Sequence, residues 1–177
     1  DSLLKLTAFA QQHFAQHLGH AEGYLHEHGI TAEMAHAFGL GCKCGDDFAP
    51  YALSQGYSQT ALETTKLADS SLHDMLPEGL IFPIFSKDGK PISFVSRQIP
   101  DLQPSRPQGR TWTFLQPSPL FDPGKALFGF YQAKKRIAEA KKCYLVANLE
   151  IVLSLHQAGI GNAVAPCSAS LTSDQVK

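Results

Sequence analysis

The stretch that most constrains the fold runs from Cys143 to Ala165. Its first four residues, Cys143 to Val146, are apolar and of strand-favouring type and follow the basic pair Lys141-Lys142, a pattern that predicts a buried strand. Leu149, Val152, Leu153 and Leu155 recur at helical spacing, Gly159 stops that helix, and Ile160 to Ala165 form a second apolar run. The unit is strand, helix, strand. A crossover of this kind sets Ala147, Asn148 and Leu149 at the carboxyl edge of a sheet, where open α/β folds hold ligands. None of those three side chains can ionise.

The chain ahead of this unit begins with a helix whose buried face is Leu3, Leu6, Ala10, Phe14 and Leu18, closed by Gly19. Tyr24 to His28 predict a short second helix stopped by Gly29, and Thr31 caps a third that ends at Gly39-Leu40-Gly41. Phe48 to Gln55 and Ser58 to Leu67 are helical by pattern, the second capped by Ser58. At Leu80 the period changes to two. Leu80 to Phe85 and Ile92 to Val95 predict a hairpin around Ser86-Lys87-Asp88-Gly89-Lys90. Pro100 to Pro119 read as one long proline-rich loop, and Tyr131 to Lys142 as a helix.

These motifs, in this order and at these separations, resemble the polymerase domain of the bacterial-type replicative DNA primase. The resemblance rests on Tyr24-Leu25 with Gly29-Ile30, Phe38 with Leu40-Gly41, Gln55-Gly56-Tyr57, Phe82-Pro83-Ile84 with Arg97, Gly124-Lys125 with Leu127 and Gly129, and Leu155-His156-Gln157-Ala158-Gly159-Ile160. It runs from about residue 3 to Lys177. It implies an α/β fold in which residues 1–125 form a helical and β-hairpin front subdomain and residues 126–177 the first strand-helix-strand of a Toprim-like sheet. It also implies the synthesis of RNA primers on single-stranded DNA during replication, with the replicative helicase and replisome as partners through other regions.

The family's catalysis needs a Glu after the first Toprim strand and a later Asp-x-Asp, which hold Mg²⁺ or Mn²⁺ while a hydroxyl attacks a nucleoside triphosphate. Its Zn²⁺ sits in a separate module. Here the Glu position is Ala147, the following Gly is Asn148 and the nearby Asp is Ile151, and no Asp-x-Asp occurs before Lys177. Glu150, one helical turn on, is the alternative carboxylate for the strand end. No catalytic residue is therefore assigned, no bound cofactor is expected, and this segment alone is expected to be inert. Leu76 to Leu80, Thr111 to Ser118 and Pro166 to Ala169 also depart from the family's polar and glycine positions.

Charge supplies the remaining argument. Of the 177 residues, 1–86 carry three Lys/Arg against ten Asp/Glu, 87–142 carry eleven against four, and the rest one against two. A basic middle between acidic flanks fits a nucleic-acid groove, and it also fits solvated cations on loops and one helix. The candidates for contact are Arg97, Arg106, Arg110, Lys125, Lys134 and Lys135, together with Arg136, interleaved with Trp112, Phe114, Phe128 and Tyr131. Arg97 and Lys125 fall on matched family positions. For Phe128 and Tyr131 the core is the favoured place.

Two metal readings fall away. His13, His17 and His20 share a helical face but adjoin an apolar stripe, and Cys42-Lys43-Cys44 lacks both the zinc spacing and a second pair. Cys143 reads as a small apolar strand residue and Cys167 as a free loop thiol. With no apolar segment of bilayer length, no export signal at Asp1 to Lys5 and scattered cysteines, no membrane partner is expected and the compartment is expected to be the cytoplasm. The rival to an enzyme is a non-catalytic module that holds single-stranded DNA or a replisome partner.

Overall fold

The computed structural model describes residues 2–45, 47–100, 102 and 112–177. Helix α1 (Ser2–Gln16) turns Leu6, Ala10 and Phe14 inward, and a 3-10 turn (Leu18–Ala21) leads into α2 (Glu22–Glu27). Thr31 caps α3 (Ala32–Ala37) by accepting from the Met34 N–H, and Ser58 caps α5 (Gln59–Thr64) in the same way through Ala61. Between them lie β1 (Gly41–Lys43) and α4 (Phe48–Ser54).

The hairpin strands β2 (Gly79–Phe85) and β3 (Pro91–Arg97) pair antiparallel, and β4 (Trp112–Phe114) adds to β3 with Trp112 opposite Arg97. The order of this sheet is β1-β2-β3-β4. Both of its faces are covered, which explains why β2 is an unbroken apolar run. Ile81 and Phe94 pack with α1, α4 and α5, while Leu80, Phe82, Ile84 and Val95 join Tyr24, Phe38, Phe121, Phe128, Leu149 and Val152 on the other side. A Cβ on Gly41 would lie 2.4 Å from the Phe14 carbonyl carbon, so the α1 backbone rests directly on β1.

A second sheet, of order β5-β7-β6, combines β5 (Leu127–Phe128), β6 (Tyr144–Leu145) and β7 (Ala163–Pro166). Helix α6 (Phe130–Ala140) follows β5. Helix α7 (Leu149–Gln157) connects β6 to β7, which run parallel as the strand-helix-strand pattern requires. Helix α8 (Ser173–Val176) opens with a capping box of Thr172 and Gln175 and is latched by Gln175 to the Pro123 and Ala126 carbonyls.

Three sequence expectations change. Tyr144 and Leu145 are 45% and 44% exposed, because β6 is the edge of its sheet and Val164 on β7 takes the buried position instead. Trp112 to Phe114 form a strand inside the supposed loop, held by hydrogen bonding to β3 that composition does not reveal. The cysteine roles reverse: Cys143 is exposed ahead of β6 and Cys167 is buried in the core. No helix among the described residues is long and apolar enough to cross a membrane.

Candidate nucleic-acid interface

The end of β3 presents Arg97 beside β4, and its guanidinium carbon sits 4.9 Å from the centroid of the Trp112 ring. A cation over an indole face is attractive, and both groups are ones that nucleic acid uses, the first for phosphate and the second for stacking. Arg97 is not free. Its Nε lies 3.3 Å from the Glu150 carboxylate and donates to the Tyr24 hydroxyl oxygen at 3.3 Å. The Tyr24 O–H in turn donates to Glu150 Oε1 at 2.5 Å. Three elements therefore meet at one point: α2 brings Tyr24, β3 brings Arg97 and the first turn of α7 brings Glu150. Burial, and then the Glu150 hydrogen bond, raise the Tyr24 phenol above the usual tyrosine range, with Arg97 opposing.

The other cations gather elsewhere. Lys134 on α6 donates to the Lys87 carbonyl at 2.9 Å and lies 4.8 Å from the Tyr131 ring. Lys87 and Lys125 share the lining of a cavity of about 510 Å³ with Phe85, Leu120, Phe130 and α8. Lys135 is exposed on α6. Lys87, Lys125 and Lys134 thus gather by the hairpin turn, at the opposite end of β3 from Arg97, roughly 20 Å away at strand rise. Arg106 and Arg110 lie outside the described residues. Of the aromatics, Phe128 is core, whereas Tyr131 is 41% exposed and presses its ring on the turn, where a Cβ on Gly89 (φ +81°) would come within 2.6 Å of it.

Sequence reasoning missed Tyr24 as a member of the Arg97 site and weighed Glu150 only as a metal ligand. No local signal carries the contact, since the two residues are 126 positions apart.

The carboxyl edge of β6 offers little to a metal. Ala147 exposes a methyl group, and Asn148 spends its Oδ1 on the Glu150 N–H at 2.8 Å, capping α7. The Glu150 carboxylate is turned away to Tyr24 and Arg97. Mg²⁺ and Mn²⁺ require oxygen ligands from carboxylates, and these residues do not fit such a site.

A family model described as "DNA primase catalytic core, N-terminal domain" matches residues 8–134. The chain belongs to that family. Among curated primases, that of Neisseria meningitidis serogroup A is 31% identical over 161 residues, covering 89% of this chain and 26% of its own. The chain thus spans about a quarter of the length of such relatives. The RNA polymerase domain of Mycobacterium tuberculosis primase DnaG superposes with a TM-score of 0.88 at 25% identity, over 98% of this chain and 59% of that one. A DnaG primase catalytic domain bound to ssDNA gives 0.85 at 25%, over 99% and 56%. The front helices, the hairpin and the following strand-helix-strand unit are accordingly the primase fold.

Proposed function

We propose that this segment is the template-handling part of a primer-synthesising DNA primase and that it holds single-stranded DNA without contributing metal ligands. The observation that carries the reading is the Arg97 guanidinium over Trp112 at the end of the sheet: a cation suited to a phosphate is held in place by an indole that packs on buried Phe82. The single-stranded DNA held by a structural relative supports it. Lys125, Lys134 and Lys135 extend the cationic surface past the hairpin turn, so that a strand of several nucleotides would be needed to touch both groups.

The chemistry of primer formation is assigned elsewhere. A Toprim-like sheet begins at β6, but Ala147 can neither bind a cation nor move a proton, and Glu150 is occupied. The segment's own contribution is electrostatic attraction, stacking and orientation of the template.

Fluorescence anisotropy with labelled oligothymidylate at two salt concentrations tests this. Binding should weaken with salt, Arg97→Ala and Lys125→Ala should each weaken it and flatten its salt slope, and Lys5→Ala should do neither. Binding that is absent at low salt, or indifferent to salt, would refute it.

A further inference from the structure

The Arg97 site is already occupied by an anion, and that anion belongs to the chain. Glu150 Oε1 receives both the Tyr24 hydroxyl at 2.5 Å and the Arg97 guanidinium at 3.3 Å, and Trp112 backs the guanidinium from another side. The carboxylate thus sits where a phosphate oxygen would be received, between a hydroxyl donor and an arginine stacked on an indole. The Arg97 and Glu150 side chains are only 22% and 14% exposed. The pair is shielded enough to be worth more than a surface ion pair, and open enough for another anion to compete.

We propose that Glu150 is an internal phosphate mimic that fills the seat formed by Tyr24, Arg97 and Trp112, and that a nucleic-acid phosphodiester must displace it to bind there. This rests on the proposed function in that the competing anion is taken to be single-stranded DNA. Glu150 reaches the seat because Asn148 caps α7 through the Glu150 N–H, fixing the helix start, while His28 stacks on Tyr24 at a centroid distance of 3.9 Å and fixes the phenol. The carboxylate has no counterpart role at the β6 edge, which it turns away from. Its effect is to hold Arg97 pre-oriented on Trp112 while lowering the seat's affinity for an outside anion, which sets a threshold that weak, non-specific polyanions do not cross.

The test compares oligothymidylate binding by the wild-type chain, Glu150→Gln, Arg97→Ala and the Arg97→Ala/Glu150→Gln double variant across a salt series. Removing the mimic's charge while keeping its shape should tighten binding roughly three- to ten-fold at low salt. Because the wild-type complex already places a phosphate on Arg97, the gain should appear as affinity, with the salt slope changing by less than about 0.7, the increment of one phosphate contact on a single strand. The double variant should lose that gain, since the gain acts through Arg97. Glu33→Gln on α3, an exposed residue outside both cationic groups, removes the same charge elsewhere and should change affinity less than two-fold. Glu150→Ala, which removes the carboxylate and leaves all three seat residues in place, should give a gain in the same direction and carries the test should Glu150→Gln fold poorly.

Salt-dependent wild-type binding with no gain in Glu150→Gln or Glu150→Ala overturns the mimic and leaves template binding standing. An equal gain in Glu33→Gln, or a gain that survives loss of Arg97, also overturns it. Absence of binding by the wild-type chain overturns both readings, since the mimic is displaced only by a strand that the wild-type chain can hold.

Discussion

Asp74 meets the Lys43 ammonium at 3.1 Å with both side chains buried, and the same carboxylate accepts the Phe48 N–H at 2.6 Å and the Ala49 N–H at 2.9 Å. One anion thus neutralises the only lysine buried among the described residues and caps α4, whose own preceding residue Asp47 makes no capping bond. Removing it strands a charge on β1 and two helix donors. Asp74→Ala should cost about 3–5 kcal/mol in urea denaturation. Replacing both partners with apolar residues, as in Lys43→Met/Asp74→Leu, should recover part of that loss. An exposed-type cost below about 1 kcal/mol would show that the pair is not the anchor of α4.

Stability should fall on mild acidification. His156 donates through Nε2 to the Ala163 carbonyl at 2.9 Å and meets the edge of Phe38; burial lowers its pKa, with the carbonyl opposing. Between that lowered value and the unfolded value of about 6.5, the unfolded chain binds the extra proton, so stability decreases as pH falls through 6.5 and levels off below the folded pKa. His13, lowered by burial and by His17, acts in the same sense. Melting temperatures measured from pH 7.5 to 5 should decline. His156→Gln should flatten part of that decline.

Thiol chemistry should separate the cysteines. Cys143 is exposed, although partial burial raises its pKa somewhat, whereas burial pushes Cys42 and Cys167 up to about 12. Only thiolate attacks a disulfide reagent. Ellman titration of the folded protein should therefore show a first reaction that Cys143→Ser removes, with Cys42 and Cys167 reacting only on unfolding. Rapid modification of Cys167 would contradict its place in the core.

Much of the fold was legible because its larger elements announce themselves locally. Thr31 and Ser58 are caps whose hydroxyls do what their positions suggest, the Asp88-Gly89 turn reverses the hairpin, and Leu149, Val152 and Leu153 mark the buried side of α7. Strands β1, β4 and β5 were not legible, since runs of two or three residues carry no period and exist through their pairing partners. The burial of Lys43 and the exposure of Tyr144 were hidden for the same reason: each is decided by what lies opposite. At the candidate site, Arg97 was visible as a cation at a matched family position. Its confinement by Tyr24 and Glu150 was not, because those residues come together only when α2 and α7 pack on the same side of the sheet.

Trp112 is the single tryptophan of the chain and lies beneath Arg97 with its ring also against buried Phe82, so a change in its emission on DNA binding is a local report of the proposed seat. The most direct test of the account is therefore titration of the wild-type chain with oligothymidylate while intrinsic fluorescence and probe anisotropy are followed together. Trp112 emission should be quenched in step with the rise in anisotropy, and both changes should fade as salt increases. A complete anisotropy transition with Trp112 emission unchanged would place the DNA elsewhere and contradict it.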